Sequence, residues 1–157
     1  VATAFRADLL TPERSLFAGE TDDVSMRTEI GEITFLAHHE EFIGAANSTV
    51  VRIHAISGEG SESEGSVVRI AVHGGIVHVD DDGLVLLASV AELGSDIDVE
   101  RARRALARAE ERLSSEGESR AEQEREDEQG RRRPDSAEAS ARRARTRLEA
   151  AGADSAT

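Results

Sequence analysis

Six arginines have the spacing in this chain most suited to chemistry. Arg101, Arg104, Arg108 and Arg112 stand at i, i+3, i+7 and i+11 in "SDIDVERARRALARAEERL", and Arg143 and Arg147 stand one helical turn apart in "ARRARTRLEAAG". Residues three or four apart share one side of an α-helix, so each set forms a stripe. A guanidinium is a planar fork that grips phosphate or carboxylate oxygens two at a time. The stripes therefore suit phosphate, or a carboxylate that substitutes for it. The plainer alternative is a solvated face, on which Arg beside Glu makes ion pairs worth about 0.2–0.5 kcal/mol each. The stripes stand out because 32 acidic residues oppose 19 basic ones, for a net charge of −13, and every basic residue is Arg. Such a surface repels nucleic acid and anionic membranes.

Other chemistries fail on residue type. A phosphate-cradling loop that ends in Gly-Lys-Ser or Gly-Lys-Thr needs a lysine, and the chain has none. The lack of cysteine excludes disulfides, thiolate nucleophiles and cysteine-ligated zinc. The histidines are His38, His39, His54, His73 and His78. His73 and His78 are an odd number apart, so on one straight strand they point to opposite faces unless Gly74-Gly75 re-aims them. No third ligand accompanies them, and no metal site is expected. "HHEE", His38 to Glu41, places four polar residues in a row, which suits an exposed loop better than convergence on one ion. No serine sits in a nucleophile elbow, and no carboxylate pair is set apart as acid and base. No catalytic residue is expected, and the chain is read as not an enzyme on its own.

The elements that hold these residues divide the chain in two. Residues 1–93 form short apolar segments with period two, separated by Gly and polar turns. Phe5, Ala7 and Leu9 alternate with Arg6 and Asp8; Leu16-Phe17 form a short strand; Val24 with Met26, Ile33 with Phe35, and Val51 with Ile53 and Ala55 alternate likewise. "SGEGSESEGS" is expected to be a hairpin loop. The run from Val67 to Leu93 is expected to give three strands, broken at Gly74-Gly75 and at Asp82-Gly83. Residues 95–157 have almost no Gly and become Ala, Arg and Glu with helical period, giving helices at about 97–113 and 136–151 around a charged linker at 114–133. Val99, Ala102, Leu106, Ala109 and Leu113 line the first helix; Ala137, Ala141, Ala144, Leu148 and Ala151 line the second. Asp135 with Glu138 makes a capping box, and Gly152 ends the second helix. The predicted fold is mainly β plus α: an N-terminal antiparallel β-sandwich followed by a C-terminal antiparallel two-helix hairpin. The hairpin's apolar face is mostly alanine, so it should pack weakly and detach readily. No stretch has the roughly 18 apolar residues of a membrane span, and the chain reads as soluble and intracellular.

"AVHGGIVHVDDDGLVLLASVAELGSDIDVERARRALARAEERL" joins a Gly-Gly strand, an Asp-Asp-Gly hairpin, an Ala-Glu strand end and an Ile-Asp-x-x-Arg-Ala helix start. With "LLTPERSLFAGETDDV", "IGEITFLAHH" and "ARRARTRLEAAG", this order resembles the epsilon-subunit family of bacterial F-type ATP synthases, most closely its actinobacterial members. The resemblance implies a ten-stranded sandwich and a hairpin, in a non-catalytic subunit of the central stalk. Such a subunit turns with the rotor, couples proton flow to ATP synthesis and restrains ATP hydrolysis through its C-terminal helices. The implied partners are the gamma subunit and the ring of c subunits for the sandwich, and the alpha and beta catalytic subunits for an extended hairpin. The implied location is the cytoplasmic face of the cell membrane, peripheral and without a span. Gly31, Glu32, His38, His39, Glu40 and Glu41 match the family's surface against the c ring, although Ala37-His38-His39 replaces the usual Pro-Gly-His turn. No cofactor is required, but ATP is implied as a regulatory ligand. The motif residues that match the family's ATP pocket are Glu92, Ile97, Asp98, Arg101, Ala102, Arg108, Arg143 and Arg147.

Overall fold

The computed structural model describes residues 3–59, 65–123 and 137–153, with the side chains of 58–59 and 116–123 excepted. Seven strands come first: β1 (Phe5–Leu10), β2 (Ser15–Thr28), β3 (Gly31–Leu36), β4 (Phe42–Glu59), β5 (Ser66–Asp80), β6 (Gly83–Ala88) and β7 (Ala91–Leu93). A 3-10 turn (Gly94–Asp96) leads into α1 (Val99–Gln123) and α2 (Ala137–Ala150). The strands run in the order β1-β6-β5-β4-β2-β3, with β7 on β5, and β1 also pairs with β2 to close the path on itself. The pairings are antiparallel except β1 with β6, which is parallel. The β-sandwich followed by two helices is therefore the architecture that the alternation predicted.

Two long strands each change partner along their length. β2 pairs β1 with its first half and β3 with its second. β5 pairs β7 with its first half and β6 with its second. Two expectations need correction here. Leu16-Phe17 belongs to the same strand as Val24 and Met26, because a bulge between Thr21 and Val24 bends β2 without ending it. The buried Thr21 hydroxyl sits at that bend, 2.8 and 2.7 Å from the carbonyl oxygens of Asp23 and His54, which share its one proton. Nor does Gly74-Gly75 break β5. Gly74 takes φ +84°, open to glycine at little cost, and the strand continues. What changes is the alternation. Val68, Ile70 and Val72 enter the core before it, and Val77 and Val79 after it. The inward positions move from even to odd, so His73 and His78 both lie off the sandwich core.

That core is built around Phe17, Phe35, Leu9, Met26, Ile53, Ile70 and Leu86, all fully buried. The helices contribute nothing to it. They form a second, smaller cluster in which Val50 and Ala71 of the sheet meet Ile97, Ala102, Leu148 and Ala150.

α1 runs to Gln123, ten residues past the expected end at 113. Residues 114–123 lack an apolar face and include three Ser and Gly117 beside three Glu, but extending a helix that is already nucleated costs far less than starting one. The rest of the predicted linker, and Asp135 of the capping box, lie outside the described residues. Gly152 ends α2 as expected, at φ +69°. Its N–H reaches the Glu149 carbonyl at 3.0 Å and that of Ala153 reaches Leu148 at 2.9 Å, the paired bonds of a Schellman cap.

Candidate functional site: the seam between sheet and hairpin

The helix termini are set by local chemistry. The Asp98 carboxylate accepts the Arg101 backbone N–H at 2.9 Å, so Asp98 is the N-cap of α1. Ile97 and Ala102, on either side of it, are buried in the seam against Leu148 and Ala150. These three members of the predicted site thus fix where α1 starts and how it lies on α2.

Glu92 projects from β7 toward α2. Its two oxygens accept from Nε and Nη2 of Arg147 at 3.0 and 2.9 Å, a bidentate pair that is about one-third exposed. Arg147 holds the Glu92 carboxyl below the usual carboxylate range, chiefly through this hydrogen bonding, with its charge and that of Arg101 adding to the effect. Burial opposes the shift. A second ion pair ties α2 to the sheet between Arg52 of β4 and Glu149. Arg145 of α2 meets Glu110 of α1 at 2.9 Å and links the two helices.

Under this layer lies His73. It follows Ala71 by two positions on β5, so it points to the hairpin side of the sheet. Its backbone N–H donates to Val90 at 2.8 Å, yet neither ring nitrogen is solvent-accessible or has a hydrogen-bond partner. Burial first, then the Arg147 and Arg143 charges, push its pKa down to about 4, with Glu92 pulling the other way. The imidazole is therefore neutral near pH 7. Sequence reasoning missed its place here. The available signal was the two-residue step from Ala71, obscured by the expected break at Gly74.

The structure thus groups Glu92, Arg143 and Arg147 around His73, with Arg101 acting on Glu92 and Arg143 bonded to Ser140 at 3.2 Å. The rest of the α1 arginine row does not join them. Arg104, Arg108 and Arg112 are exposed, and their side chains make no hydrogen bond or ion pair among the described residues. The opening stripe is therefore split between a face toward Glu92 and a solvent face.

The residues matched to the c-ring surface lie at opposite ends of β3. Gly31 (φ +126°) and Glu32 follow the β2–β3 turn, where Ile30 is 80% exposed. His38, His39, Glu40 and Glu41 form the β3–β4 loop. His38 takes φ +60°, the left-handed conformation that a glycine would adopt more easily. His39 packs edge-on to Phe35, with ring centres 5.1 Å apart. No group of three or more potential metal ligands occurs among the described residues.

One sheet face is apolar and uncovered. Ile76 pairs with Leu87 on one side and Ala45 on the other, and Ile43 lies two pairs along, on the same face. Ile43, Ile76 and Leu87 are each more than half exposed. The alternation change at Gly74-Gly75 produces this face, because it turns Ile76 outward.

Fold and site together define a class of protein: a β-sandwich carrying a helical hairpin that packs on it through a cluster of its own, without a constellation for bond-making chemistry among the described residues. Residues 4–94 match the family described as ATP synthase, Delta/Epsilon chain, beta-sandwich domain. The ATP synthase epsilon chain of Streptomyces griseus is 41% identical over 106 residues, 68% of this chain and 80% of that one. That of Thermobifida fusca is 43% identical over 116 residues, 73% of this chain and 80% of that one. A chain of the Euglena gracilis mitochondrial ATP synthase shares the fold, with a TM-score of 0.61 at 21% identity over 96% of this chain and 78% of that one. The chain belongs to the ATP synthase epsilon-chain family.

Proposed function

We propose that this chain is a non-catalytic subunit whose hairpin restrains ATP hydrolysis when it leaves the sheet, and that the docked arrangement is the unrestrained state. The observation that carries this reading is the separation of the two clusters. The sandwich core is complete without the helices, and the hairpin is held by small side chains and partly exposed ion pairs. Four of the six buried residues in the seam are Ala or Val, so each contributes little apolar area. Such an element opens at a lower free energy than the core beneath it.

The apolar face of Ile43, Ile76 and Leu87 supports the gamma subunit as the partner of the sandwich. The exposed turns at both ends of β3 support the c ring as the partner there, with the ring lying along this edge strand. The exposed Arg104, Arg108 and Arg112 support contact between the released hairpin and acidic surfaces of the alpha and beta subunits. Assembly on the c ring would place the chain on the cytoplasmic face of the membrane, and no described helix is long and apolar enough to cross it. ATP as a regulatory ligand draws support from Arg101 and Arg147, whose charges both act on Glu92, and from Arg143, which with Arg147 acts on His73. Its phosphates would have to displace Glu92 from Arg147.

The test is reconstitution with the remaining catalytic-sector subunits, with and without residues 95–157. Removal of the hairpin should raise ATP hydrolysis more than it changes ATP synthesis. Equal hydrolysis by the two complexes would refute the restraining role.

A further inference from the structure

His73 stands out because both its ring nitrogens are shut off from solvent and neither has a hydrogen-bond partner. A buried polar atom without a partner is costly, and native structures rarely retain one without a use. Here two such atoms lie on one ring, at the point where α2 rests on β5. The charged groups around it come from three elements. Arg143 and Arg147 approach from α2, and Glu92 from β7. Arg101 of α1 acts on Glu92. Ser48, opposite on β4, is uncharged. The one carboxylate in this set already has both oxygens on Arg147. A proton arriving on His73 would therefore meet a carboxylate whose charge is already shared with Arg147. It would add a cation beside two others, in a place where solvent does not reach the ring nitrogens.

We propose that His73 is an acid-sensitive release for the hairpin: protonation of its imidazole beneath α2, beside Arg143 and Arg147, drives α2 off the sheet. This rests on the reading that the hairpin detaches, and adds what governs the detachment. The neutral ring tolerates the docked helix, whereas the imidazolium is accommodated only when α2 leaves and water enters. The sign follows from linkage. The docked ring titrates at about 4 and a free histidine near 6.5. Docking is then at full strength above about pH 6.5 and weakens as pH falls toward 4. Between pH 7.5 and 5.5 the docked-to-released ratio should fall about tenfold. Under the proposed function, acidification would thus favour the restraining state.

Native-state hydrogen exchange of the full chain tests this, because it reports opening ratios even when the open state is rare. A released 14-residue helix is marginal in water, so undocking exposes its amides. After correction for intrinsic exchange rates, the opening constant of amides 141–150 should rise about tenfold from pH 7.5 to 5.5. Amides of β2 and β4 should not follow. His73→Phe and His73→Asn should each abolish the rise, and two replacements of different size guard against one that misfolds. A rise of the same size in these variants would overturn the proposal. So would no rise in the parent chain while α2 opens independently of the sheet. If the α2 amides open only together with the sheet, the detachable hairpin itself fails, and this proposal falls with it.

Discussion

Gly94 is where the docked hairpin is most sensitive to a single atom. It sits in the 3-10 turn between β7 and α1, buried beneath the last turn of α2. A Cβ built there would lie 2.3 Å from the Ala150 carbonyl oxygen, 3.0 Å from its carbon and 3.1 Å from the Arg69 carbonyl oxygen. All three are backbone atoms, so no side chain can turn aside. The Gly94 backbone is not in the left-handed region, so alanine brings no conformational strain of its own, and the perturbation is steric alone. Relief requires the end of α2 to lift by nearly 1 Å, away from the cluster in which Leu148 and Ala150 are buried. Overpacking of this kind costs about 1–3 kcal/mol. If that cost falls on docking, the docked-to-released ratio in Gly94→Ala drops by about 5- to 150-fold. Hydrogen exchange at neutral pH should show this as faster opening of amides 141–150, while the thermal transition of the sandwich stays put. Unchanged protection of α2 in a folded Gly94→Ala protein would refute the argument that α2 is seated on this glycine.

Other consequences can be measured separately. Glu92→Gln should loosen α2 by about 1 kcal/mol, less than a fully buried charged pair would lose, because both side chains keep contact with solvent. The Glu92 carboxyl is held below its usual value of 4.5, so its contribution is present above about pH 4.5 and lost as pH falls further; exchange of the α2 amides between pH 5 and 3.5, in a His73→Phe background, isolates it. A chain ending at Gly94 should unfold in one cooperative thermal transition, since its principal loss is cover over Val50 and Ala71. Ile76→Asp with Leu87→Asp should leave that transition in place and weaken binding of the gamma subunit at least tenfold in titration, whereas unaltered affinity would place the partner elsewhere.

The sequence revealed the parts whose physics is local. Alternation marked Phe5 to Leu9 and Val51 to Ala55 as strands, and helical spacing found Ala102, Ala109, Ala141, Ala144 and Leu148, all of them buried. Gly152 was legible as a helix stop because its left-handed turn is a property of the residue itself. The continuity of β2 and β5 was not legible. A bulge at Thr21 and a left-handed Gly74 look like turns until neighbouring strands show that pairing resumes beyond them. The end of α1 was missed because its last turns have no apolar face to announce them. For the site, spacing grouped Arg143 with Arg147 and singled out the motif around Asp98. It also made one stripe of Arg101, Arg104, Arg108 and Arg112, although only Arg101 comes under the influence of Glu92. His73 needed the third dimension, since only the folded chain shows that both ring nitrogens of this half-buried strand histidine are shut off from solvent.

The central claim, that leaving the sheet is what lets the hairpin restrain hydrolysis, can be tested by preventing it from leaving. The chain has no cysteine, so Glu92→Cys with Arg147→Cys introduces a unique pair where the β7–α2 ion pair now stands. A short bifunctional thiol reagent across that pair would hold α2 on the sheet in the assembled complex. ATP hydrolysis by the cross-linked complex should match that of a complex lacking residues 95–157, and should fall when a cleavable linker is cut. Hydrolysis as slow with the hairpin locked down as with it free would contradict the account.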